Sequence, residues 1–386
     1  MNIGMKPVVD TDGHAVHEIL GHTSDSAPSA SKLALARANL DDAIGRGAAR
    51  SSAVVQRILN EVPRDDIVLG ERLAFGYASG RLSFEAGDKQ WNLHNHAFDQ
   101  LVERAGIPTA YARRLDAAEA ELDGTSWEHR LLEYTLTEHY RHQGGRYLVR
   151  SVNGQARGIL SDKFRRLDSR PLLDAFLGGA QAVGAVPFEG VASDVRVSVR
   201  AIVPVVHEPV PGEFMVFGLN WQNSDYGAGV YGVSAFCLRL LCLNAAIGES
   251  ILKQVHLGKR LPDELAFSRQ TYELDTQTMI SATKDVIGNL LAPRAVEARL
   301  DAVRAAHATE TTWGAAFKKV GQLLSKGEAQ RAKDAFEGPD NVLLPEGKTA
   351  LRFSNALSWI ANQTEDADRK IELQRIAGAV IERKAA

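Results

Sequence analysis

GRYLVRSVNGQARGILSD, residues 145–162, decides the fold class, because two runs of alternating apolar and polar side chains meet at Asn153-Gly154. That dipeptide tolerates the two positive φ angles of a type I′ turn, so the segment predicts an antiparallel hairpin with one buried face. Upstream, LAFGYASGRLSFEAGDKQWNL (73–93) repeats the alternation about Ser79-Gly80 and predicts a second hairpin. Between the two, HNHAFDQLVERAGIPTAYARRL (94–115) places Ala97, Leu101 and Val102 on one helical face. Asn95 is the expected N-cap, Gly106 sits where a C-cap belongs, and Pro108 opens a further helix. A helical stretch follows around 126–142.

Downstream of the hairpin, PLLDAFLGGAQAVG (171–184) reads as a helix, and DVRVSVRAIVPVV (194–206) and EFMVFGLNWQNS (213–224) as strands. Val195, Val197 and Val199 alternate with Arg196, Ser198 and Arg200, which predicts a partly basic sheet face opposite the valines. After Leu261 strand formers thin out. ELDTQTMISATKDVIGNLLA (273–292), PRAVEARLDAVRAAHA (293–308), TTWGAAFKKVGQLL (311–324) and TEDADRKIELQRIAGAVIERK (364–384) all have helical spacing, and EGPDNVLLPEGK (337–348) is the clearest loop. The expected fold class is α+β: an antiparallel hairpin and sheet core, flanking helices and a helical C-terminal region. Residues 1–30 lack periodicity and read as a disordered tail. Two short helices are expected over 31–64 (Ser31 to Arg46 and Ser51 to Asn60), the α+β core over 65–262 and the C-terminal helices over 263–386.

The chain has 386 residues, 45% hydrophobic and 24% charged, enough to bury a substantial core. Its formal charge is −3, and Asp10, Asp12, Glu18 and Asp25 against Lys6 account for it, leaving residues 31–386 neutral overall. That balance argues against a globally basic duplex-DNA binder but is silent on local patches. Cys237 and Cys242, the only two cysteines, stand five apart in the apolar run CLRLLC, which excludes a disulfide framework and a cysteine-only zinc site. The expectation for them is buried, inert thiols. No apolar leader core and no run of about 20 apolar residues is present, so a cytoplasmic protein without membrane contact is expected.

NHAFDQLVERAGIPTAYARRL (95–115), ARGILSDKFRRLDSRPLLDAFL (156–177) and GLNWQNSDYGAGVYGVSAFCLRLLCLNAAI (218–247), in that order, resemble the phage/plasmid-like proteins grouped as domain of unknown function 932. The resemblance covers roughly Leu69 to Arg383 and includes an aromatic-rich helix followed by an Ala-Gly helix near the end. It implies a role in mobile-element replication or recombination, and it carries no catalytic residues. Cys242 with Asn244 matches the family's Cys-x-Asn element, which is expected to be structural.

Between Arg141 and Arg170 lie eight basic residues and only two acids, Asp162 and Asp168. Arg146, Arg150, Arg157, Lys163, Arg165 and Arg166, with Tyr147 and Phe164 interleaved and Arg196 and Arg200 aligned from a neighbouring strand, form a candidate single-stranded nucleic-acid surface. Arginine's planar fork suits phosphate and stacks on bases. The competing account is that these charges are solvated or paired with acids in the fold. His94, His96 and Asp99 are too divergent on a helix to make a metal site the expectation. His129, Glu138, His139 and His142 lack the order of a zinc protease motif and read as a polar helix face. DYGAGVYG (225–232) lacks the GK[ST] ending of a phosphate loop, and its glycines are expected to serve a tight turn or a close backbone approach. No nucleophile elbow is present.

No cofactor or metal is expected, and an enzyme of unfamiliar mechanism ranks third behind two other functions. One is an oligomeric protein that binds single-stranded DNA for strand protection or annealing, without nucleotide hydrolysis. The other is a structural or regulatory protein of a mobile element whose helical C-terminal region assembles with itself or a host protein and whose arginines make salt bridges. Basic residues buried against acids would distinguish the second.

Overall fold

The computed structural model describes residues 8–9, 15–16, 19–21, 27–78, 80–119, 126–254, 268–338 and 344–382. Most of the expected tail lies outside them. Within it, β1 (Val8–Val9) pairs antiparallel with β2 (Ala15–Val16), while β3 (Ile19–Gly21) joins the edge of a sheet. The two short helices expected over 31–64 are one helix, α1 (Ala27–Asn60), which runs straight through Gly45 and Gly47. Gly47 is retained for space: a Cβ there would lie 1.6 Å from the Phe188 carbonyl oxygen, whereas Gly45 faces open space.

The first sheet holds β4 (Arg64–Leu69), β5 (Leu73–Ala78), β6 (Arg81–Ala86), β7 (Lys89–Leu93), β8 (Arg146–Val152) and β9 (Gln155–Ser161), in the order β4-β8-β9-β7-β6-β5. Only β7 and β9 run parallel. The hairpin at Asn153-Gly154 forms as expected, with φ of 51° and 77°. Ser79 lies outside the described residues, but β5 and β6 pair across it. Helices α2 (Asn95–Arg104), α3 (Thr109–Asp116) and α4 (Trp127–Gln143) cover this sheet. Phe75, Phe84, Trp91, Phe98, Leu101, Leu132, Leu136, Tyr140 and Ile159 share the resulting core. The N-cap of α2 is His94 and not Asn95, because the His94 ring accepts from the His96 backbone N–H at 3.1 Å.

After α5 (Ser169–Ala182) the chain builds a second sheet from β10 (Val186–Ala192), β11 (Val197–Ile202), β12 (Val206–Val210), β13 (Glu213–Asn223), β14 (Tyr231–Arg239) and β15 (Asn244–Gln254). β13 is central: β11 and β12 flank one side, β14 the other, and β3 adds in parallel to β12. Its side chains alternate, with Phe214 and Val216 on one face and Met215, Phe217, Leu219 and Trp221 on the other. Both faces are covered, so a sheet with one open basic face does not form.

The helical C-terminal region is α6 (Arg269–Leu290), α7 (Pro293–Ala308), α8 (Trp313–Val320), α9 (Lys326–Glu337), α10 (Ala350–Asn362) and α11 (Ala367–Glu382). Residues 339–343 of the expected loop lie outside the described residues. These helices share a core with the second sheet: Met215 and Phe217 pack with Leu300, Phe336, Phe353, Leu357, Ile360, Leu373 and Ile376. α11 meets β15 at Gly378, where a Cβ would lie 2.0 Å from the Ile247 carbonyl oxygen. The fold is thus α+β, with two mostly antiparallel sheets. Among the described residues no helix is long and apolar enough to cross a membrane.

Replacing Gly47 or Gly378 with Ala forces helix and strand apart and is expected to cost about 1–3 kcal/mol, the usual range for overpacking. Gly45→Ala adds only helix propensity and should gain roughly 0.5–1 kcal/mol. Urea denaturation midpoints of the three variants check the opposite signs.

Candidate functional site

The centre of the basic segment is Arg150, which β8 holds opposite Asp65 of β4 and Gly158 of β9. It is 1% exposed. Its Nε donates to Asp65 Oδ1 at 2.7 Å, one terminal nitrogen donates to Asp168 Oδ1 at 2.6 Å, and the other to the Asp225 carbonyl at 2.9 Å. Burial works against the charge of Arg150, but Asp168, Asp65 and Asp225 more than offset it and hold its pKa above the ordinary value. Asp225 comes from the glycine-containing loop of residues 224–230. Its Oδ1 accepts from the Ser169 backbone N–H and hydroxyl, both at 2.8 Å. Burial pushes the Asp225 carboxyl up to about 6 despite the nearby Arg150. The loop approaches β9 closely, and a Cβ on Gly158 would lie 2.9 Å from the Tyr226 carbonyl oxygen.

The other arginines extend this seam between the sheets. Arg157, 8% exposed, donates to Glu61 Oε2 at 2.6 Å and to the Asp194 carbonyl at 3.2 Å. Arg57 at the end of α1 bridges the same two residues, with contacts of 3.2 Å to Glu61 and 2.5 Å to Asp194. Arg165 grips both carboxylate oxygens of Asp275 on α6. Arg166 lies 2.9 Å from Asp65 and over the Tyr272 ring at 5.1 Å. Apart from the local Arg57–Glu61 contact, these pairs tie elements far apart in sequence, and a buried guanidinium such as that of Arg157 needs such partners.

The structure does not bring the ten nominated residues into one open groove. Tyr147 is buried, with its hydroxyl donating to the Gly144 carbonyl at 3.1 Å, and Phe164 is buried with Leu148 and Leu160. Neither ring is open to a base. Lys163 is 9% exposed. Arg200 lies beneath α11, with contacts of 2.6 Å to Glu189 and 2.6 Å to Gln374. Arg196 is at the strand edge, paired with Asp368 at 2.9 Å. Arg146 alone of the ten has a side chain more than half exposed, at 58%, and Asp162 stands 3.5 Å away. Desolvation explains the departure: β8, β9 and β11 are covered on both faces, so their arginines turn to carboxylates within the fold. The partners Glu61, Asp65, Glu189, Asp225 and Asp275 were missed because nothing in the spacing of the basic segment points to them. Arg352, fully buried, was missed as well. It donates to the Phe336, Pro345 and Gly338 carbonyls at 2.8–2.9 Å, closing the C-terminus of α9.

His94, His96 and Asp99 diverge. His94 caps α2 and lies 3.5 Å from Asp194, His96 approaches the Tyr226 carbonyl at 3.1 Å, and Arg113 holds Asp99 in a two-point pair. Burial depresses the pKa of both imidazoles. His129 turns inward and completes a capping box with Ser126, while Glu138 pairs with Arg141 and His142. Among the described residues no three potential ligands converge on a metal-sized site. Burial raises the Cys237 thiol to about 11 and also raises that of Cys242, away from thiolate reactivity. Asn244 is a structural anchor, donating to the Asn355 carbonyl at 3.2 Å and accepting from Asn362 at 2.9 Å. Surface cations gather instead at a cleft of about 200 Å³ between α1, β10 and α11, where Arg46, Arg50 and Lys370 surround Phe188.

Removing a partner from a buried pair leaves an uncompensated charge, so Arg150→Ala is expected to cost about 3–5 kcal/mol. Arg146→Ala should stay within about 0.5 kcal/mol. Chemical denaturation at neutral pH separates the two. The folded Asp225 retains a proton that the unfolded chain releases between about pH 4 and 6, so the wild-type carboxyl favours folding at the acid end and opposes it above. Asp225→Asn should therefore gain on wild type as pH rises through that window, as read from paired stability curves. Compared with protein-family models, curated proteins and solved structures, the chain matches none.

Proposed function

We propose that this chain is a non-enzymatic structural or regulatory protein of a phage or plasmid, and that it works by assembling with itself. The observation that carries the reading is the burial of Arg150, Arg157 and Arg200 against Asp65, Asp168, Glu61 and Glu189. Arg150 and Arg157, central to the charge that makes the sequence look like a phosphate-binding strip, are engaged with Asp168, Asp225, Glu61 and Asp194, and Arg200 with Glu189 of the neighbouring strand. The resemblance of the segments 95–115, 156–177 and 218–247 to phage/plasmid-like proteins supports the mobile-element setting. The C-terminal helices, a natural candidate for assembly by sequence, already bury their apolar faces against β13 and one another.

One observation favours the second reading, single-stranded DNA binding in replication or recombination. In the cleft between α1 and α11, Arg50 makes no ion pair within 4.0 Å among the described residues, although Glu189 of the same cleft feels its charge, and Phe188 lies half-buried beside it with its ring stacked on Phe236. Sedimentation velocity combined with fluorescence anisotropy on single-stranded and duplex DNA across a salt series decides between the two. The expected result is self-association with no single-strand binding tighter than about 100 μM, the weak end of non-specific affinity. Salt-sensitive single-strand binding that Arg46→Ala/Arg50→Ala abolishes would overturn the assembly reading in favour of the second.

A further inference from the structure

Two helices bring donors to the cleft of about 200 Å³ between α1, β10 and α11. Arg46 and Arg50 stand one turn apart on α1, and Lys370 and Gln374 one turn apart on α11. Close packing fixes both helices: Gly47 lets α1 approach the Phe188 carbonyl oxygen, and Gly378 lets α11 approach that of Ile247. Leu243 contributes to the apolar lining and holds a φ of 53°, a left-handed value costly for leucine that the surrounding fold sustains.

Glu189 is the only carboxylate among the lining residues, and both its oxygens are engaged, Oε2 by Arg200 at 2.6 Å and Oε1 by Lys370 at 3.2 Å. Burial works against its charge, but Arg200, Lys370 and Arg50 hold its pKa below the ordinary value. Arg46 is paired with Asp42 in its own helix. Four cations (Arg46, Arg50, Arg200 and Lys370) against two carboxylates (Glu189 and Asp42) leave an excess of two positive charges. Gln374 is 1% exposed, and its Oε1 accepts from Arg200 at 2.6 Å while its Nε2 donates to no group among the described residues. A buried amide donor without an acceptor is costly and marks where a ligand oxygen belongs. The cleft thus offers positive charge and donors with no unengaged carboxylate, which selects an anion.

We propose that this cleft binds a small diphosphate-bearing anion, which bridges Arg50 of α1 to Lys370 and Gln374 of α11. An excess of two positive charges calls for a multivalent ligand, and a guanidinium beside an ammonium is a pairing that holds phosphate oxygens. The volume is below the roughly 300–1,000 Å³ of pockets for drug-sized molecules, so a diphosphate group with at most a short organic arm is the size that fits. The bound anion ties the long N-terminal helix to the last helix of the chain. This site goes beyond both readings above, since it requires neither self-association nor a nucleic-acid strand.

Isothermal titration calorimetry of the full chain with inorganic pyrophosphate, at neutral pH and a fixed ionic strength of about 0.15 M, provides the test. The expected result is one-to-one binding with a Kd below about 1 mM, and orthophosphate at least tenfold weaker. Arg50→Ala, which alters an exposed side chain, should weaken pyrophosphate binding at least tenfold. Gln374→Glu keeps an acceptor for Arg200 but places a negative charge in the cleft, and should weaken it as much, with circular dichroism confirming the fold. Arg146→Ala, a cation outside the cleft, should leave binding unchanged. No binding up to about 10 mM pyrophosphate, or binding that Arg50→Ala leaves unchanged, overturns the site. A single-stranded oligonucleotide that binds through Arg50 and that pyrophosphate does not displace overturns it in favour of strand binding. Sedimentation reads self-association separately, so failure of the site leaves the assembly reading standing.

Discussion

A guanidinium group withdrawn from water must find anions or carbonyls, and at Arg150 that requirement shapes the middle of the molecule. Asp65 arrives from β4, Asp168 from the start of α5 and the Asp225 carbonyl from the loop between β13 and β14. Three chain segments separated by up to 160 positions are therefore fixed relative to one another by a single side chain. The cost of desolvating the charge is offset only when all three are in place, which makes the junction cooperative. Arg157 with Glu61, and Arg165 with Asp275, repeat the device at the end of α1 and on α6.

Local features of the fold were legible because they obey local rules. Asn153-Gly154 specified its turn, the alternation over 73–93 specified paired strands, and the spacing of residues 273–308 specified helices. Errors appeared where a tertiary contact outweighed a local preference. Gly45 and Gly47 suggest a break in α1, yet the close approach of Phe188 makes glycine at 47 compatible with a continuous helix. β10 was not anticipated, because its VPFEGVA run lacks alternation and is defined by pairing with β11.

The basic segment was legible as composition but not as surface. Sequence spacing gives the side of a strand on which Arg196 and Arg200 lie, and both do share a side. It does not reveal that α11 covers that side, with Gln374 and Lys370 reaching Arg200 and Glu189 across roughly 170–180 intervening residues.

The contact between α11 and the second sheet also bears on the order in which the molecule matures. During synthesis β10 to β15 leave the ribosome well before α11, and the apolar residues later enclosed by α10 and α11 have no cover in the interval. Native contacts of such long sequence separation form slowly, and partly built sheets with bare faces are the species that aggregate. The growing chain is therefore at its most vulnerable after its second sheet has formed and before its last helix has emerged, the interval in which chaperone capture would protect it most.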